Sequence, residues 1–191
     1  RRAADEAELF PSVSHAAVEH GAISMAWIGL VDPTTGAVVP TAAFGTGSDY
    51  VDGLQVTVHG NDAHGRGPTG TSIREGRAVW TEDFSRDPST APWRARGQAY
   101  GWIASGSLPL TREGQTVGAL VIYSEATAVL DAESRALLTE LAANISYSMD
   151  YFARERRRTD AEARLHVSEE RYRTIFAESS LPMLLVDPET R

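Results

Sequence analysis

The chain contains no cysteine. That excludes disulfides, iron–sulfur clusters, thioether-linked chromophores and thiol catalysis within it, and it fits the reducing cytoplasm expected as its location. Positive charge is scarce. Lys and Arg number 18 against 26 Asp and Glu, a formal net charge of −8, which argues against nucleic acid or an anionic membrane surface as the main partner. Long apolar runs are missing too. VGALVIY at 117–123 is among the longest and falls far short of the roughly 18 residues of a membrane span, so no membrane contact is expected. The opening RRAADEAELF lacks a secretory pattern. A start on Arg1-Arg2 without methionine reads as a piece of a longer polypeptide.

What is present is a folded domain with extensions. The apolar fraction of 42% is globular and rules out wholesale disorder. Residues 1–21 read as an entry helix, bent or restarted at Pro11. SMAWIGLV at 24–31 is apolar on both parities, as in a strand covered on both faces. Asp32-Pro33-Thr34-Thr35-Gly36 reverses the chain. GAVVPTAAFG returns it, with Pro40 favouring a sheet edge. Residues 46–66 read as a connector. GPTGTSIREG is a short helix, Ala78–Trp80 a short strand, and Pro92 opens another short helix. Ser105–Leu110 and Thr116–Tyr123 form a second hairpin. Residues 22–130 therefore predict the sheet and its excursions. The class is α+β: an antiparallel sheet with helices on both faces.

Glycine and proline then vanish from 131 to 176. Asp131 is placed as an N-cap, and the pattern stays helical far beyond a globular helix, which predicts a coiled coil. One stripe, Leu138, Leu141, Ile145 and Phe152, suits packing on the sheet. A second recurs every seven residues through Leu137, Asn144, Tyr151, Arg158, Leu165 and Tyr172. It suits a partner helix, that is, a parallel homodimer through the terminal helices. Asn144 and Arg158 make that seam polar, which weakens register. LPMLLV at 181–186, in the final segment 177–191, reads as a first strand whose sheet lies further on.

These phrases resemble the GAF domain family. The carriers are MAWIGLVDPTTG, GRGPTGTSIREGRAVWTEDFSRDP, and SGSLPLTREGQTVGALVIYS followed by the Asp-capped helix, over about residues 5–152. SEERYRTIFAESSLPMLLVDPETR resembles the truncated start of a PAS domain. The resemblance implies a dimer, a small-molecule pocket on one sheet face, and an output domain further along, either a histidine kinase or a cyclic-di-GMP enzyme. It also sorts the known chemistries. Bilin attachment and the free-methionine-sulfoxide reductase branch use cysteines. The cyclic-nucleotide branch uses an Asn-Lys and an Asp-Glu pair, where this chain has Asn61-Asp62 and Asp87-Pro88.

The residues themselves offer no convergent nucleophile, base and orienting group, so no catalytic residue is expected. His59-Gly60-Asn61-Asp62-Ala63-His64 has metal-capable types, but Gly, Asn and Asp favour a solvated turn, so neither metal nor cofactor is expected. The glycines of GRGPTG match no phosphate-loop spacing and serve a tight loop-to-helix turn. His15 reads as surface. The central excursion is richer. Trp80, Phe84, Trp93, Tyr100 and Trp102 supply aromatic surface, and Asp83, Asp87, Arg94 and Ser105 supply polar groups, the composition of a pocket for a small organic ligand. The reading is a regulatory sensor module of a bacterial signal-transduction protein, relaying ligand state through a dimeric helix. The alternative is a structural dimerisation module without a ligand.

Overall fold

The computed structural model describes residues 3–20, 23–127 and 131–178. Helix α1 spans Glu6–His20. Strands β1, Met25–Val31, and β2, Val38–Gly45, form the first hairpin. After a 3-10 turn at Ser48–Val51 come α2, Pro68–Glu75, and β3, Val79–Thr81. A 3-10 turn at Pro88–Trp93 leads into α3, Arg94–Ala99. Strands β4, Ala104–Arg112, and β5, Gln115–Ser124, precede the long helix α4, Ala132–Glu178. The five strands form one sheet in the order β2-β1-β5-β4-β3, antiparallel throughout. The α+β class expected from the sequence is the class observed.

Local chemistry accounts for the turns. Asp32 Oδ1 accepts from the backbone N–H groups of Thr34 and Thr35 at 2.8 and 3.2 Å, closing the β1–β2 reversal. The β4–β5 hairpin turns on Glu113 and Gly114, at φ 54° and 77°, the signs a two-residue hairpin loop requires. Pro40 lies on edge strand β2 beside an irregularity in its pairing, where a missing donor breaks no ladder. Of the two alternatives at Pro11, a bend or a restart, the restart does not occur: helix α1 runs through it.

The sheet separates two cores, because alternate strand residues face opposite ways. On one face Ala26, Ile28, Leu120 and Ile122 pack with Phe10 and Ala17 of α1 and with Leu138, Ala142, Ile145 and Met149 of α4. On the other, Met25, Trp27, Val121 and Tyr123 pack under the connector and the excursion. Helix α4 is pinned at the hairpin tip. Ser146 Oγ accepts from Thr111 N–H at 3.0 Å, at a register shift between Leu110 and Thr111, and Asp150 Oδ1 accepts from Glu113 N–H at 2.6 Å.

The chain divides into two units, 1–152 and 153–191. Within the second, the described residues 153–178 are helical, with Arg158 paired to Glu155 and Glu162. Leu165, Tyr172 and Ile175 are exposed there. The expected PAS start, 177–191, lies outside the described residues from 179 onward. No helix among the described residues is long and apolar enough to cross a membrane.

Candidate functional site

The second core contains a small chamber between the sheet and the segments that cover it. Its floor is built by strand residues of one parity: Trp27 of β1, Ser105 and Ser107 of β4, and Val121 and Tyr123 of β5. Its roof comes from three places in the chain. Tyr50, Leu54 and Val56 belong to the connector, Pro68 and Thr69 to the start of α2, and Phe84 and Trp93 to the loop between β3 and β4. The connector is drawn over the sheet by backbone pairing, since Val38 N–H donates to the Val56 carbonyl at 2.8 Å and Ala37 bridges Thr57. The cavity volume is about 20 Å³, room for about one water.

An aromatic stack adjoins the chamber. Trp102 lies flat on Tyr123, with ring centroids 4.1 Å apart and planes 14° apart. Tyr100 stacks on Trp102 at 4.9 Å. Tyr50 meets Trp102 and Tyr123 edge-on at 4.9 and 5.4 Å, and the Arg96 guanidinium sits 5.0 Å above its ring. These edge-to-face and offset contacts add to ordinary burial.

The polar groups of the chamber are neutral. Thr69 and Ser107 share a hydroxyl hydrogen bond of 3.1 Å, and the Ser72 hydroxyl donates to the Ser107 carbonyl at 3.0 Å, tying α2 to β4. Burial pushes the Tyr50 phenol far above the ordinary tyrosine range and the Tyr123 phenol in the same direction. The Tyr123 charge, were it to form, would push Tyr50 further the same way. Both therefore stay protonated. The Trp27 indole is 1% exposed, and a hydrogen bond from its side chain favours the ionised Tyr123 phenol, against the larger effect of burial. None of the residues lining the chamber carries a charged side chain.

Of the residues expected in a pocket, Phe84, Trp93 and Ser105 line the chamber. Trp102 and Tyr100 belong to the adjoining stack. Asp83 and Asp87 close turns instead. Asp83 Oδ1 accepts from the hydroxyl and backbone N–H of Ser85 at 2.6 and 3.1 Å, and the Ser85 hydroxyl above all holds its carboxyl below the usual range. Asp87 Oδ1 accepts from the backbone N–H of Ser89 at 2.8 Å, and Arg94 donates to the Asp87 carbonyl at 2.9 Å. Trp80 requires a correction. It pairs with Gly106, not with Ser105 or Ser107, and that register turns its ring to the face covered by α1 and α4. There it packs over Gly106, with the Arg135 guanidinium 5.3 Å from its ring.

The chamber also uses residues the sequence did not single out: Trp27, Tyr50, Tyr123, Thr69 and Ser107. Trp27 and Tyr123 share the parity of Met25 and Val121, so strand alternation carried a signal for them. Tyr50 sits in a single 3-10 turn and has no periodicity to read. The histidine loop lies apart from the lining. His59 Nε2 lies 2.9 Å from the Thr35 carbonyl, and Asp62 Oδ1 accepts from His64 N–H at 3.2 Å. The His64 ring meets Trp93 edge-on at 6.0 Å. Among the described residues, His, Asp and Glu side chains form no group of three able to hold a metal ion.

Known structures share this architecture. The GAF domain from a phosphoenolpyruvate-protein phosphotransferase of Coxiella burnetii is 17% identical with a TM-score of 0.65, over 80% of this chain and 87% of that one. A GAF domain/HD domain protein from Geobacter sulfurreducens is 11% identical with a TM-score of 0.63, over 78% and 94%. The free methionine-R-sulfoxide reductase of Neisseria meningitidis, solved with its substrate, is 20% identical with a TM-score of 0.61, over 79% and 81%. At these identities the likeness is one of fold. No curated protein matches the chain. The family model described as GAF domain matches residues 3–150, and on that match the chain belongs to the GAF domain family.

Proposed function

We propose that the chain is a non-catalytic sensing module of a larger signalling protein, binding a small organic ligand in the chamber over the sheet and passing its state to α4. The carrying observation is the buried, uncharged, polar-and-aromatic chamber between the sheet and the segments that cover it. Aromatic walls with a few placed hydroxyl groups are the composition of a small-ligand site. The relay has a physical route. Strand β4 carries Ser105 and Ser107 at the chamber, and at its far end Thr111 is bonded to Ser146 of α4. Regulatory settings are supported by the company this fold keeps, such as the phosphotransferase of Coxiella burnetii. The reductase among the fold neighbours does not bring its activity here, since the chain has no cysteine for the thiol chemistry of that branch.

The test is a thermal-shift screen of the chain against neutral small organic compounds. A hit that raises Tm and perturbs the Trp27 indole N–H in NMR supports sensing. Compounds that raise Tm while leaving Trp27 unmoved would sink the assignment of the chamber.

A second reading, a structural dimerisation module, is favoured by one specific observation: the chamber holds only about 20 Å³. It predicts self-association and no saturable ligand in such a screen.

A further inference from the structure

Three consecutive residues at the tip of the β4–β5 hairpin are each bonded to a terminal helix. Thr111 N–H donates to Ser146 Oγ of α4 at 3.0 Å, and Glu113 N–H donates to Asp150 Oδ1 of α4 at 2.6 Å. Arg112, between them, bonds α1 instead. Its Nη2 donates to both carboxylate oxygens of Glu6, in the first turn of that helix, at 2.8 Å each. The pair is partly buried, and the buried Nε–H of Arg112 has no partner among the described residues. Removing Glu6 therefore leaves a poorly solvated cation at the tip, which has to move to reach water. The tip is also the part of the hairpin least held by its own ladder. Pairing with β5 shifts register between Leu110 and Thr111, and Glu113 stands at φ 54°, in the left-handed region that is unfavourable for an ordinary side chain. The conformation of residues 111–113 thus leans on the bonds to the two helices.

We propose that this tip is a clamp coupling α1 to α4, with Arg112 as its positioning residue: the Glu6–Arg112 ion pair sets the tip conformation in which Thr111 and Glu113 hold α4. The Glu113 N–H belongs to the peptide unit that follows Arg112, and the Thr111 N–H lies one peptide unit before it. A displaced Arg112 therefore misaligns both donors to α4. The coupling is reciprocal, because each helix biases the same tip conformation. A movement of the first turn of α1 reaches α4 by this route without passing through the chamber, so the clamp does not depend on the chamber holding a ligand.

Native-state hydrogen exchange, followed by NMR on the 191-residue chain, reads the clamp directly. In Glu6→Ala the Thr111 and Glu113 amides are expected to exchange at least about tenfold faster, relative to the amides of interior strand β1, than in the wild type, the loss of about one net hydrogen bond at each. Glu8→Ala is the control. It removes a carboxylate from the same first turn, where Glu8 accepts from Ala4 N–H at 3.0 Å, and is expected to leave that ratio unchanged. A second arm combines Glu6→Ala with Ser146→Ala in urea unfolding. The double variant is expected to be less destabilised than the two single changes together predict, by at least about threefold in the unfolding constant, as for residues acting through one shared structure. The proposal is overturned if exchange in Glu6→Ala rises equally at the tip and in β1, since the ion pair then contributes only general stability. It is overturned equally if Glu8→Ala loosens the tip as much, or if the two single changes add. If Glu6→Ala does not fold, Arg112→Lys, which keeps the charge and loses the planar guanidinium, is measured in both arms and must show the same pattern. Any of these failures leaves the reading of the chamber intact.

Discussion

Trp102 shows how much a single ring carries in this core. It is stacked between Tyr123 and Tyr100 and touched edge-on by Tyr50. Replacing it with alanine removes one partner from all three contacts and leaves a cavity the short excursion cannot close. Trp102→Ala is expected to cost about 3–5 kcal/mol, measured by denaturant titration; a loss below about 1 kcal/mol would show that the stack contributes little beyond an exposed contact. Carboxylates act more gently. Asp32, Asp62, Asp83 and Asp131 are all held below the ordinary range, in each case first by a hydrogen bond donated to the carboxylate. A group whose folded pKa is depressed contributes stability above its unfolded pKa and loses it as pH falls through the folded value. Tm should therefore be flat near neutrality and fall below about pH 4, the ordinary aspartate range. Asp131→Asn keeps an N-cap oxygen but cannot titrate, so the acid limb of its Tm-against-pH curve should be shallower than that of the wild type.

At the level of elements, α4 and the β4–β5 hairpin make a specific contact outside the sheet. Ile145 and Met149 are fully buried against the strands, while Ser146 and Asp150 accept from the hairpin's backbone. Ile145→Ala is expected to cost about 2–5 kcal/mol. Ser146→Ala removes the acceptor for Thr111 N–H at an irregular point of the ladder, at about 1–3 kcal/mol. An unchanged unfolding midpoint for Ser146→Ala would mean that water replaces the hydroxyl and that the pin is weak. The sequence made much of this visible. The period of α4 separated Leu138 and Ile145 from Leu137 and Tyr151, and the two parities of Met25–Val31 foretold two cores, because both signals are local and periodic. The chamber was less legible for a physical reason. Tyr50 and Thr69 reach it through long-range pairing and a helix start, and Trp80 leaves it because a three-residue strand takes its facing from the partner strand. A local pattern has no access to either. Asp83 and Asp87 looked like ligand contacts by type, yet their spacing to Ser85 and Ser89 is that of side chains closing their own turns.

On the scale of the whole molecule, the unabsorbed feature is the outer face of α4. Leu137, Tyr147 and Tyr151 of the first unit are exposed, although the same helix buries its opposite stripe against the sheet. Single exposed apolar residues need no explanation, but these recur at the spacing of one helical face, and a sheet-packed helix gains nothing from a second apolar stripe. The homodimer expected from the sequence would supply a use for it, and the net charge of −8 would make that association sensitive to added negative charge. Leu137→Glu combined with Tyr151→Glu should shift the chain towards monomer in sedimentation equilibrium by at least about tenfold in dissociation constant, since two apolar anchors are lost and like charges are brought together across a self-complementary interface. The unfolding midpoint, taken at low concentration, should change little, because both side chains stand outside the core. An unaltered sedimentation profile would overturn the expected dimer. A large loss of stability with no change in association would show that the outer face works within one chain. The seam residues give the converse arm. Asn144→Leu with Arg158→Leu should strengthen association, and a signalling protein carrying both changes should lose its response to ligand. If that response stayed inducible, α4 would hold the dimer together without being the element that switches.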